Sequence, residues 1–86
     1  MVIWKYKIDN ADCAIQMQKG AQILSVQNQR GTIYLWALVN PSIEKEERRF
    51  IVIGTGPTIE PEVVSRLKFV GTVQVDLFVW HVFERV

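Results

Sequence analysis

The chain has 86 residues, 49% of them hydrophobic and 22% charged, and a formal net charge of +1. A balance this close to neutral excludes the basic field that drives binding to long nucleic acid. A single cysteine, Cys13, excludes an internal disulfide or a cysteine-based zinc site, which suits a reducing cytosol.

The elements read as nearly all β. Val2 to Ile8 alternates, with Trp4, Tyr6 and Ile8 on one side and Lys5 and Lys7 on the other, as in an edge or half-exposed strand. Asp9 to Asp12 is a turn, Cys13 to Met17 a short strand, and Lys19-Gly20 a break. Ala21 to Asn28 and the apolar Thr32 to Val39 form two arms around a Gln29-Arg30-Gly31 hairpin turn, where Gly31 is free to take a positive φ. Asn40-Pro41-Ser42 ends the second arm. The mixed charge run Glu44 to Arg49 reads mainly as a solvated turn, and Arg48 to Thr55 as the next strand. Residues 56–66 form a proline-containing loop with room for one helical turn after Pro61. Lys68 to Val75 and Leu77 to Arg85 close as a hairpin around Asp76. The expected fold is one all-β domain over residues 1–86, mainly antiparallel. It is a small barrel or sandwich of six or seven strands with at most one short helical turn.

The last strand has no wet face. Leu77, Val79, His81 and Phe83 point one way and Phe78, Trp80 and Val82 the other. A chain this short buries only about 60–65% of its unfolded surface, so a subunit partner is the simplest cover. The expectation is a homo-oligomer, a dimer or tetramer. No apolar run reaches the roughly 18–20 residues of a membrane span, and the N-terminus lacks a signal-peptide layout, so no membrane partner is expected.

Few residues are suited to catalysis. His81 is the only histidine, and no carboxylates cluster at ligand spacing, so neither a cofactor nor a metal is expected. His81 reads as a buried or half-buried histidine bonded to a backbone carbonyl or a carboxylate, or as a polar contact in an aromatic pocket with Phe78, Trp80 and Phe83. Gly54-Thr55-Gly56-Pro57 directly follows a strand, as a strand-ending turn or an anion nest. It lacks the lysine of a phosphate-binding loop. Arg48 and Arg49 face opposite sides of their strand, and the inward one could grip a phosphate. Removing either charge is expected to cost affinity and little stability. The tryptophans Trp4, Trp36 and Trp80, with Tyr6 and Tyr34, read first as core or interface anchors and second as surfaces that stack a base.

A resemblance runs through most of the chain. Its landmarks are Ile3-Trp4-Lys5-Tyr6, Gly20-Ala21-Gln22-Ile23-Leu24-Ser25-Val26-Gln27 and Leu35-Trp36-Ala37-Leu38-Val39-Asn40-Pro41. Arg49-Phe50, Gly54-Thr55-Gly56, Gly71-Thr72-Val73-Gln74 and His81-Val82-Phe83-Glu84 complete the pattern. The chain is similar to a widespread family of small bacteriophage proteins associated with anti-CBASS nucleotide sponges. These are oligomers that sequester the cyclic nucleotide signals of a bacterial defence system. The resemblance implies an immune-evasion protein of the infected host cytoplasm with no catalytic activity. It would bind a cyclic nucleotide, for example a cyclic dinucleotide, without cleaving it. The residues expected to line that site are His81, Arg48, Arg49, Gly54, Thr55, Gly56, Trp36 and Trp80. The pattern departs at Pro57, where similar proteins often carry histidine, and a ligand contact there would differ. The other reading is a homo-oligomeric structural or protein-interaction module with no small-molecule ligand.

Overall fold

A computed structural model describes residues 1–86 as seven strands and one helical turn. In chain order these are β1 (Val2–Ile8), β2 (Asp12–Gln18), β3 (Gln22–Gln29), β4 (Thr32–Val39), β5 (Lys45–Gly54), α1 (Pro61–Val64), β6 (Leu67–Val75) and β7 (Phe78–Arg85). They form two antiparallel sheets, β1-β4-β3 and β2-β5-β7-β6. The sheets approach each other along β3 and β6, where the Asn28 amide donates to the Gln74 carbonyl at 3.1 Å. The result is an open sandwich, the expected class.

Period-two patterning builds the core. Leu35, Ala37 and Val39 face inward from β4, Cys13, Ile15 and Met17 from β2, Phe50 from β5, Val73 from β6 and Val82 from β7. These belong to one apolar cluster that unites the sheets. The Arg30-Gly31 turn has φ of 54° and 86° at its two central residues, the backbone that joins twisted strands in a two-residue hairpin.

Three expectations change. The charge run is not a turn: β5 begins at Lys45, and Lys45 to Arg49 pair with Gln18 to Ala14 of β2. Ladder hydrogen bonds to β2 outweigh the poor strand propensity of the charges, which alternate between half-buried and exposed. Leu77 is not a strand residue. It sits in the tight turn after Asp76 and is 92% exposed, and β7 starts at Phe78.

The third change concerns what covers β7. Both β5 and β6 run antiparallel to β7 and lie on either side of it, so they are parallel to each other. The connection 55–66 must therefore cross over β7. The inner face is filled by core, and α1 lines a cleft with Ile51, Leu67 and Arg85, all on the outer face. The crossover thus runs over the outer side of the sheet, with Ile59 half-buried along it. Ile51, Ile53, His81 and Phe83 on that side are only half-exposed. Part of the cover that β7 demands comes from its own chain.

Candidate functional site

The expected residues fall into three places. Gly54, Thr55, Gly56, Trp80 and His81 meet where β5 ends beside β7. Arg48 and Arg49 lie near the other end of β5, six residues away, or about 20 Å along an extended strand. Trp36 is on the outer face of the other sheet, opposite Lys5 of β1 and Ser25 of β3.

The Trp80 end is built from the strand backbone outward. Gly54 pairs with Trp80, and a Cβ at Gly54 would stand 3.3 Å from the indole Cζ3. The missing side chain lets the ring lie flat against β5. Phe78, two residues earlier on the same face, packs against it with ring centroids 6.1 Å apart. Gly54, Thr55, Pro57 and residues 77–80 enclose a cleft of about 520 Å³. On its other side Trp80 borders a smaller hollow of about 190 Å³ with Ile8, Ile33, Val52 and residues 9–11. No lysine or arginine lines either.

His81 projects to the outer face, away from Trp80 and Phe78, so it is not in one pocket with them. Of the aromatic neighbours expected around it, only Phe83 shares its side. Its partners are hydroxyls rather than a carbonyl or carboxylate: Nε2 lies 2.8 Å from Thr55 Oγ1, and Nδ1 lies 3.0 Å from Thr72 Oγ1. Thr55 Oγ1 also donates to the Val79 carbonyl at 3.1 Å. With its one proton so used, Thr55 accepts from Nε2–H, and Nδ1 accepts from Thr72. This hydrogen-bond assignment makes His81 the neutral Nε2–H tautomer. It also runs against base catalysis, because the imidazole donates to the nearest hydroxyl instead of withdrawing its proton. Thr72 escaped the sequence reading, since nothing local shows that β6 sets it opposite His81.

The glycine turn is a poor anion nest. The Thr55 N–H is already turned to the Val79 carbonyl at 3.3 Å, so a donor that the nest needs is engaged. Gly56 is required for another reason, its φ of 111°.

The arginines are also engaged. Arg48 grips Glu84 through Nε and Nη2, the latter 2.7 Å from Oε1, and Nη1 donates to the Ala21 carbonyl at 2.6 Å. The two side chains are only 17% and 13% exposed. The hydrogen bond to Glu84 outweighs burial and holds the guanidinium above its ordinary pKa. The surface position assumed in expecting little stability from Arg48 does not hold, because its charge is folded into the sandwich edge rather than displayed. Arg49 faces out and pairs with Asp12 at 2.8 Å, with side chains 43% and 55% exposed. Both arginines line a cleft of about 560 Å³ with Glu46, Glu47, Glu84 and Arg85, where the charges balance. On the other sheet, Lys5 Nζ lies 4.5 Å from the Tyr34 ring centre and 5.7 Å from that of Trp36, and donates to Gln29 Oε1 at 2.9 Å. Trp36 thus lies under a lysine. No group of three His, Cys, Asp or Glu side chains converges as a metal site would require.

Fold and site together define a small two-sheet antiparallel β protein with an aromatic cleft at one end of its sandwich. The chain belongs to the family described as Domain of unknown function (DUF7352), whose model matches residues 1–86. No curated protein and no solved structure matches it.

Proposed function

We propose that this protein binds and sequesters a small cyclic nucleotide signal, as the likeness to phage nucleotide sponges implies, and releases it unchanged. The observation that carries the reading is the Trp80 cleft. Its volume of about 520 Å³ falls within the size range of small-molecule sites. An indole, a phenyl ring and Pro57 give it flat apolar walls suited to a purine or pyrimidine face. With no cation in the lining, recognition is base-first, and the phosphates face solvent. The expected site contracts accordingly to Gly54, Thr55 and Trp80, with Pro57 and Phe78 added, Gly56 shaping the turn and His81 bracing it from behind. Arg48, Arg49 and Trp36 drop out, because each is engaged elsewhere. Survival of the ligand fits the His81 arrangement, in which the only imidazole donates to Thr55 and touches no carboxylate. The site of action is the infected host cytoplasm.

The experiment is a melting series with cyclic mono-, di- and trinucleotides, since a ligand that binds only the folded state raises the melting temperature. A structural or protein-interaction module is the second reading. It is favoured by the run of exposed apolar residues at the start of β1, and it predicts no shift with any nucleotide.

A further inference from the structure

We infer that the outer edge of β1 is the self-association surface, and that two copies join there strand to strand across a two-fold axis. The inference stands independently of the nucleotide reading. β1 hydrogen-bonds only to β4, so its other edge carries a row of unpaired backbone donors and acceptors. The other edges are less available. Those of β3 and β6 lie against each other, and that of β2, though also unpaired, exposes Asp12, Ala14 and Gln16 rather than an apolar run. Met1, Val2, Ile3 and Trp4 are 74%, 38%, 60% and 40% exposed, four large apolar side chains in succession. Met1 and Ile3 are largely open, and Val2 and Trp4 are only partly covered. The whole surface is 5702 Å², about 500 Å² more than the scaling law gives for a monomer of this mass.

The sequence of β1 selects its own partner and register. In an antiparallel pair related by a two-fold axis, centring on Lys5 sets Lys5 against Lys5, which is repulsive. Centring on Ile3 sets Ile3 against Ile3, Val2 against Trp4 and Met1 against Lys5. Every cross-strand contact but the last is then apolar, and no two lysines meet. The pairing joins the two three-stranded sheets into one of six strands, ordered β3-β4-β1-β1-β4-β3. Such a contact uses the same patch on both copies and closes at two. The oligomer expected from the last strand is thereby placed at β1 instead. On the outer side of β4 Lys5 sits over Tyr34 and Trp36, and the crossover covers part of the outer side of β7.

The test uses the intact chain at micromolar concentration. Light scattering should report twice the 9.9 kDa chain mass, and Ile3→Lys should halve it while circular dichroism keeps its β signature. Ile3→Cys should form an intermolecular disulfide on mild oxidation, because cross-strand neighbours have Cβ atoms about 4.5–5.5 Å apart. Leu77→Cys, at a more exposed position, should not, and buried Cys13 does not compete. A monomeric parent overturns the inference. So does a folded Ile3→Lys variant that stays dimeric, or crosslinking at Leu77 that equals crosslinking at Ile3. Nucleotide binding by the Ile3→Lys monomer leaves the inference intact, since the Trp80 cleft lies within one chain.

Discussion

Arg48 and Glu84 form a two-pronged ion pair between adjacent strands, and it ties the start of β5 to the end of β7 at the sandwich edge. Breaking such a pair leaves one charge with little water and no partner. Arg48→Ala should therefore cost more than the about 0–1 kcal/mol of an exposed pair and less than the about 3–5 kcal/mol of a fully buried one, because both side chains are part-buried beside a cleft. Arg49→Ala removes an exposed pair and should cost about 0–1 kcal/mol. Urea denaturation of both variants measures the contrast. Equal costs would contradict it.

Gly71 of β6 stands directly against Val26 of β3, across the two sheets. A Cβ there would stand 2.5 Å from Cγ1 of buried Val26. Gly71→Ala should destabilise by about 1–3 kcal/mol through overpacking. Adding Val26→Ala opens the space and should recover part of that loss, although the single change Val26→Ala is itself destabilising. A double-mutant cycle with no coupling would show that β3 and β6 do not press together there.

The bonds around His81 make a spectroscopic prediction. The ring nitrogen shifts of labelled protein at neutral pH should show the proton on Nε2, facing Thr55, with Nδ1 as acceptor. Thr72→Val deletes the donor to Nδ1 and should shift that nitrogen more than Nε2. A predominant Nδ1–H form would contradict the assignment and return a basic Nε2 beside the Thr55 hydroxyl.

Tyr6 provides the pH dependence. Burial raises its phenol above the ordinary 10.0, because the ionised form loses water. The folded state therefore holds the proton more tightly than the unfolded one. Its contribution is complete below about pH 10 and is lost as pH rises through the raised folded value. The melting temperature should decline more steeply above pH 10 in the parent than in Tyr6→Phe, and ultraviolet titration should show Tyr6 ionising late.

Much of the architecture was legible because period-two alternation reports locally on which side of a strand is dry. It revealed most of the strands and that Arg48 and Arg49 face opposite sides, while the turn residues marked the Arg30-Gly31 hairpin. Pairing between distant strands leaves no such local mark. The parallel relation of β5 and β6 follows from where the crossover goes, which turn residues alone do not encode. The same gap hid the Glu84 partner of Arg48 and the Thr72 partner of His81, and so made Arg48 look free. It also shifted the unsatisfied apolar surface from β7, which the crossover partly covers, to β1, whose alternation read simply as an edge.

The cleft can be probed without knowing the natural ligand. Trp80→Ala should weaken nucleotide binding by about 1–3 kcal/mol, the range for losing one base–aromatic stack. Arg49→Ala and Trp36→Phe should leave affinity unchanged. Weakening by Arg49→Ala with none from Trp80→Ala would move the site to the charged end of β5.

The most direct test of sequestration is to follow the ligand itself. The protein is titrated with a panel of cyclic nucleotides, the best binder is incubated with excess protein, and the mixture is denatured by heat and analysed by chromatography. A sponge binds one of them saturably, gaining about 2.7 kcal/mol of stability at a hundredfold excess over Kd. It then returns the full amount intact, from the parent and from His81→Ala alike. Folded protein that binds none of them, or linear products that disappear in His81→Ala, would contradict the account.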